Sequence, residues 1–290
     1  MPLTALRALL AELIDYAGLF PPAALPLTDV HQCYDAYRRS PDAWALGRLV
    51  VPAARLAELA ALIGDRGTNA LPVSALIGND VAHDTDCVRN ANASGRIIVG
   101  SAEARATSLA AMDAVTSALA KSIVVYVEIP VAEDPSELLA AIRQCGARAK
   151  IRTGGVTADV FPTAAHCARF LARCAEFGVP FKATAGLHHP LRGEYRLTYA
   201  DDAPRGTMFG FLNVFAAGVF ARAAMPETLL AEVLDERDIA AFRFTDHAMH
   251  WRAHSIVLDD VIAARETFAM SFGSCSFREP IDDLHQLGLL

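Results

Sequence analysis

Eight short runs rich in β-branched residues recur along the chain, and most are followed by an amphipathic helical stretch. This alternation of strands and helices predicts a parallel sheet with right-handed crossovers. A count of eight favours a closed (β/α)₈ barrel, the TIM barrel, over an open doubly wound sheet. The strands are predicted at 13–18, 47–53, 71–78, 95–101, 122–130, 148–154, 179–186 and 240–246.

No GxGxxG motif follows the first strand, so the usual sign of a dinucleotide-binding fold is missing. The 290 residues show no change of composition that would mark a second domain, and a single barrel domain is predicted over 1–290. A long insertion, 187–239, is predicted between strands seven and eight. We expect it to form a lid-like loop followed by one apolar helix.

Charge and hydropathy narrow the range of partners. The net charge is −7 and no block of basic residues occurs, which argues against nucleic acid and anionic membrane surfaces. The apolar run GTMFGFLNVFAAGVFARAAM is interrupted by Asn213 and Arg222 and is predicted to be a buried helix, not a membrane span. A small molecule is therefore the expected partner. The sequence does not decide whether the protein forms a homo-oligomer.

The N-terminal stretch and the cysteines indicate a compartment. The first 20 residues carry acids within the apolar stretch and have no basic start, so a signal peptide is not predicted. The six cysteines form no CxxC pair, which is typical of a reduced, cytoplasmic protein. Cys275 is expected to follow the last helix at the bottom of the barrel and to serve packing.

The chain contains 26 basic residues, of which only Lys121, Lys150 and Lys182 are lysines. A lysine amine can lose its proton when it is buried or crowded by charge, whereas arginine stays protonated. Lys150 and Lys182 lie on adjacent predicted strands, about 4.8 Å apart. If both point inward, the pKa of at least one should fall, which would make that amine a nucleophile near neutral pH. Lys121 is expected at the opposite end, in solvent.

Chemistry in a (β/α)₈ barrel takes place at the carboxyl ends of the strands. Arg152 on strand six offers a bidentate clamp for a substrate carboxylate. His188 and His189 are adjacent on an extended segment and should point to opposite sides, so one of them is expected to act as an acid, a base or a hydrogen-bond donor, and no metal site is assigned. The other polar residues predicted at this end are Asp15, Glu128, Thr184 and Asp246.

Two short motifs in strands six and seven resemble those of class I aldolases of the deoxyribose-phosphate aldolase type. Lys150, Thr153 and Gly154 match K-x-x-T-G, and Lys182, Ala183, Thr184 and Gly186 match K-A-[ST]-x-G. Glu128, in VYVEIP, is similar to the strand-five glutamate of that family. The resemblance spans 122–187 and implies that Lys150 forms the Schiff base while Lys182 lowers its pKa. It also implies that the matched threonines and glycines surround the substrate and that no organic cofactor is needed.

The sequence departs from the family at two places. No counterpart of the strand-four aspartate is assigned in GRIIVGSAE, because Glu103 lies beyond the predicted end of that strand. The segment TDHAMHW stands where a glycine-rich phosphate loop is expected after strand eight, which argues against a phosphosugar substrate.

These observations predict a lyase that makes or breaks a carbon–carbon bond of a small carbonyl compound through a Schiff base at Lys150. Lys182 would tune the amine, and Glu128 or a histidine would move protons. Two alternatives remain. One is a metal-dependent isomerase or lyase that stabilises an enolate, and the other is a barrel that binds an anionic metabolite without catalysis.

Overall fold

A computed structural model describes residues 4–64, 70–119 and 122–290, and Lys121 lies outside these ranges. Its centre is a closed barrel of eight parallel strands. The first seven confirm the predicted positions: β1 (Ile14–Tyr16), β2 (Leu46–Pro52), β3 (Leu71–Leu76), β4 (Ile97–Arg105), β5 (Val124–Glu128), β6 (Arg148–Arg152) and β7 (Phe181–Thr184).

After β7 the chain leaves the barrel for a long insertion. It forms an antiparallel hairpin of β8 (Gly193–Arg196) and β9 (Arg205–Met208), and later an antiparallel sheet of β10 (Phe242–Phe244), β11 (Ala248–Trp251) and β12 (His254–Val257). The chain then returns as β13 (Ala269–Ser274), which pairs with both β1 and β7 and closes the barrel. The fold is therefore the expected (β/α)₈ barrel with an insertion before its last strand.

The predicted eighth strand, 240–246, is wrong. This segment contains β10, whose residues alternate between buried and exposed, as in an antiparallel strand with one solvated face. The true eighth strand, β13, is buried at nearly every position, as a strand covered on both faces must be. Asp246 therefore does not end a barrel strand. It is exposed and accepts hydrogen bonds from the backbone nitrogen (3.1 Å) and hydroxyl (2.9 Å) of Thr4.

Eleven α-helices cover the barrel and fill the insertion within the described ranges. Helix α7 shows how local sequence sets their limits: the Thr163 hydroxyl caps its first turn by accepting from the His166 backbone nitrogen, and Gly178 ends it with a left-handed φ of 63°. The helices are α1 (Thr4–Leu10), α2 (Leu27–Tyr37), α3 (Leu56–Ile63), α4 (Val81–Ala93), α5 (Leu109–Leu119), α6 (Ser136–Gln144), α7 (Ala164–Phe177), α8 (Phe211–Arg222), α9 (Glu227–Asp235), α10 (Leu258–Thr267) and α11 (Arg278–Gln286).

Helix α8 is the apolar run of the insertion, and it is buried on all sides from Phe211 to Ala221, as predicted. Its one polar side chain in that span, Asn213, is fully buried. The Asn213 amide donates to the carbonyls of Val233 (2.7 Å) and Glu236 (2.8 Å) at the end of α9 and accepts from the Arg192 backbone nitrogen (3.0 Å). Within the described chain, no helix has the length and apolarity needed to cross a membrane.

We expect Asn213→Ala to lower the free energy of unfolding by about 3 kcal/mol, because it leaves buried backbone groups without partners. Urea denaturation followed by circular dichroism measures this change. Asn90→Ala, at an exposed position of α4, is the matched control and should change it by less than about 0.5 kcal/mol. Equal effects of the two variants would show that the Asn213 hydrogen bonds contribute nothing to stability.

Candidate active site

The barrel interior is built by the alternation of side chains along the strands. In β6, Arg148, Lys150 and Arg152 are two residues apart, so they share the inward face at three successive heights. Arg148 lines a cavity at the amino-terminal end of the barrel, whereas Lys150 and Arg152 line a cavity at the carboxyl end. The latter, called the mouth cavity below, has a volume of about 820 Å³.

Lys150 lies on the floor of the mouth cavity and is only 3% exposed. Its Nζ is 2.9 Å from Glu103 Oε2 and 3.1 Å from Glu128 Oε2. The amine is therefore held between two carboxylates from β4 and β5 while it faces the space where a small molecule fits.

Lys182 is paired with Lys150 in the sheet register, as expected for adjacent strands. It also points inward, but it lies deeper and does not line the mouth cavity. Its Nζ donates to Asp15 Oδ2 (2.6 Å) and to Glu103 Oε1, and lies 5.7 Å from the centre of the Tyr126 ring. Burial lowers the pKa of Lys182, but the Asp15 and Glu103 carboxylates outweigh burial and raise it above its ordinary value. The expected fall in pKa is therefore not found at this lysine, which carries a fixed positive charge.

Glu103 is the central residue that the sequence analysis set aside. Its two carboxylate oxygens contact different lysines, and Oε1 also accepts from the Ser74 hydroxyl (2.8 Å). Burial raises the pKa of Glu103, but the two ammonium groups outweigh it and hold that pKa well below its usual range. Strand β4 continues to Arg105, beyond its predicted end, so Glu103 lies on the strand after all. The polar residues at 101, 103 and 105 were the signal that could have shown this.

Glu128 contacts both Lys150 and Arg152. Its Oε1 accepts from Arg152 Nε (2.9 Å), and burial, which raises the pKa of Glu128, is outweighed by Lys150 and Arg152, which lower it. The Arg152 side chain is 49% exposed and lines the mouth cavity while it holds Glu128. Arg105, which the sequence analysis missed, is the register neighbour of Glu128 and also lines the mouth cavity. Among the described residues, no carboxylate pairs with Arg105.

The matched threonines and glycines shape the loops that follow β6 and β7. Thr153 is buried outside the mouth cavity and its hydroxyl donates to the carbonyl of Ala185 (2.6 Å), which ties the two loops together. Gly154, Thr184 and Gly186 line the cavity. Gly186 has a φ of 71°, and a Cβ there would lie 3.0 Å from Gly154 Cα, so both glycines permit a close approach of the loops.

Asp15 does not lie at the mouth. Its carboxylate is buried below Lys182, where it accepts from the Ser271 hydroxyl (2.8 Å) and the Arg48 backbone nitrogen (2.6 Å), and it lines the cavity at the opposite end. The structure thus gives Asp15 a role in holding Lys182 in place of the expected contact with substrate.

His188 and His189 both face α11, contrary to the expectation that they point to opposite sides. His188 Nδ1 lies 2.9 Å from Glu279 Oε2, and His189 Nδ1 lies 2.6 Å from Asp283 Oδ2, one helical turn later. Only His188 lines the mouth cavity, while His189 stacks on Tyr195 with ring centres 3.6 Å apart. His188 is therefore the histidine that a substrate at this end can contact.

Cys275 lies at the mouth and not at the bottom of the barrel, because it directly follows the true eighth strand. Its thiol is buried, which raises its pKa, and Sγ lies 3.5 Å from the Tyr199 hydroxyl. The segment after strand eight is thus CSFREP, not TDHAMHW. Because TDHAMHW does not follow strand eight, it gives no reason to exclude a phosphorylated substrate.

One group of three possible metal ligands occurs among residues 4–64, 70–119 and 122–290, namely His83, Asp84 and Cys87 on α4, with ligand atoms within 4.8 Å of one another. It does not contribute to the mouth cavity.

No protein-family model matches the sequence, and no curated protein or solved structure shows significant similarity to it.

Replacement of Lys182 by methionine should lower the free energy of unfolding by about 3–5 kcal/mol, because it leaves Asp15 and Glu103 buried without their shared cation. The matched control is Arg152→Met, which removes a half-exposed partner of Glu128 and should cost about 1 kcal/mol or less. Chemical denaturation at neutral pH compares the two. A Lys182→Met protein as stable as Arg152→Met would contradict the assignment of Lys182 as the neutralising charge of the interior.

Proposed function

We propose that the protein is an aldolase-like lyase that forms a Schiff base between Lys150 and a small carbonyl substrate. The observation that carries this proposal is the difference in access between the two inward lysines. Lys150 Nζ faces the mouth cavity, whereas Lys182 is sealed beneath it by Asp15 and Glu103. A nucleophilic amine must reach the substrate, and a neighbouring amine that only supplies charge need not.

A carboxylate beside Lys150 can accept and donate the protons of this reaction. Lys150 must lose a proton before it attacks, and Glu128 Oε2, at 3.1 Å, is near enough to accept it. Once Lys150 is neutral, Glu128 loses one of the two cations that lower its pKa and becomes more basic. The same carboxylate can then return a proton to the carbinolamine hydroxyl, so that water leaves and the iminium forms.

The iminium acts as an electron sink, which allows a carbon–carbon bond of the substrate to break. A base removes the proton of the substrate hydroxyl two carbons from the iminium carbon, the carbon–carbon bond breaks, and its electron pair forms an enamine. The enamine carbon takes up a proton, and water releases the second product and regenerates the Lys150 amine. His188, at the edge of the cavity and paired with Glu279, is the proposed base for the hydroxyl proton.

An anionic substituent on the substrate is favoured by the charge of the mouth. Arg105 and Arg152 both line the cavity, and Arg152 uses Nε to hold Glu128, which leaves its two terminal nitrogens without a protein partner among the described residues. A carboxylate fits this pair, and so does a phosphate. The proposed substrate is therefore a small anionic aldehyde or ketone.

Borohydride reduction in the presence of a carbonyl panel should add the mass of a reduced adduct to Lys150. Peptide mapping by mass spectrometry locates the adduct, and Lys121 and Lys182 in the same digest are internal controls. Lys150→Arg keeps the charge but removes the titratable amine, so it should abolish both the adduct and turnover. An adduct on Lys182 would reverse the assignment, and full turnover by Lys150→Arg would favour an enzyme that uses this position only for charge.

Arg105→Gln should raise KM for an anionic carbonyl substrate by a factor that corresponds to about 1–3 kcal/mol, with little change in kcat. The reason is the loss of one charge-assisted contact to the anionic group of the substrate. Steady-state kinetics should show no such change for an uncharged analogue. Arg237→Gln, at an exposed position in the insertion, is the matched control. An equal rise in KM for the uncharged analogue would contradict an anion contact at Arg105.

A further inference from the structure

A second large cavity lies at the amino-terminal end of the barrel, opposite the mouth. It has a volume of about 1060 Å³ and is bounded by α1, by Trp44 and Tyr34, and by the first residues of several strands. It is called the basal cavity below. The arginines that line it are Arg7, Arg38, Arg48, Arg148 and Arg265.

None of these five arginines forms an ion pair with a carboxylate within the part of the chain that the structure describes. Arg7 lies over the Trp44 ring at 4.7 Å, and Arg148 donates to the Tyr126 hydroxyl at 3.1 Å. Neither contact neutralises a charge. The acids of the lining are Glu12, Asp15 and Glu266, and Asp15 is already held by Lys182. The lining thus has five cations against three acids, in a chain whose net charge is −7.

Arg265 is the one buried arginine among the five. It is only 8% exposed, and its terminal nitrogens donate to the backbone carbonyls of Ala11, Ala269 and Met270. Its Nε is buried and has no hydrogen-bond partner. Burial lowers the pKa of Arg265 to about 10 despite the opposing effect of Asp15. A buried guanidinium without a counter-charge is costly, and an anion in the cavity that it lines would remove that cost.

We propose that the basal cavity is a binding site for a small polyanion that carries two or more phosphate or carboxylate groups. Arg7, Arg38 and Arg48 make no side-chain hydrogen bond among the described residues, so each can hold one such group in bidentate fashion. Together they exceed what a single carboxylate requires. The volume is that of a metabolite site and not of a lone ion. The proposal does not depend on chemistry at Lys150, because the two cavities are lined by different residues.

Isothermal titration calorimetry of the full chain with pyrophosphate, and separately with citrate, tests the proposal. The two arms distinguish a phosphate ligand from a carboxylate ligand. At least one should bind, with an affinity that falls as salt is added. The double variant Arg38→Gln/Arg48→Gln changes exposed side chains only and should weaken that binding at least about tenfold.

Arg152→Gln at the mouth is the matched control and should leave the affinity within about twofold. A melting temperature that rises with the polyanion in the wild type and not in the double variant would support the same site. The proposal is overturned if neither polyanion binds at millimolar concentration, or if the double variant binds as well as the wild type. Loss of binding in Arg152→Gln alone would also overturn it, since the anion would then occupy the mouth.

Discussion

The ion network around Glu103 is the interaction on which the interior of this barrel depends. Bulky aliphatic side chains usually fill such a barrel, but here three carboxylates (Asp15, Glu103 and Glu128) face three cations (Lys150, Arg152 and Lys182). Buried charges are tolerated only when they are paired, so the two sets must balance. Glu103 makes the balance possible because it is the one acid that contacts both lysines.

The same network constrains the strands that carry it. Its members come from β1, β4, β5, β6 and β7, and each must face inward at the correct height. A slip of one residue in any of these strands would turn a charged side chain into the layer of helices, where no partner is available. The network therefore specifies register more strictly than an apolar interior would, since aliphatic side chains can exchange neighbours at small cost.

The sequence was sufficient for the first seven strands because most of them are β-branched runs followed by a helix, which is a local pattern. The two lysines were placed on adjacent strands in the same way, and the structure shows that both face the barrel interior. The eighth strand could not be found this way, because two segments, 240–246 and 269–274, are both short and apolar, and only pairing with β1 and β7 distinguishes them. Because of this one error, Asp246 and Cys275 were each predicted at the wrong end of the barrel. Glu103 and Arg105 were missed because the end of β4 depends on pairing with β3 and β5.

The long insertion before β13 has a consequence for the order in which the barrel can form. Lys182 follows Asp15 by 167 positions along the chain, and Ser271 follows it by 256. Until β13 is present, β1 and β7 each keep an unpaired edge and Asp15 lacks part of its final environment. Until β13 has been synthesised, a nascent chain of this protein cannot close the barrel, and the open edges of β1 and β7 are surfaces at which aggregation can begin.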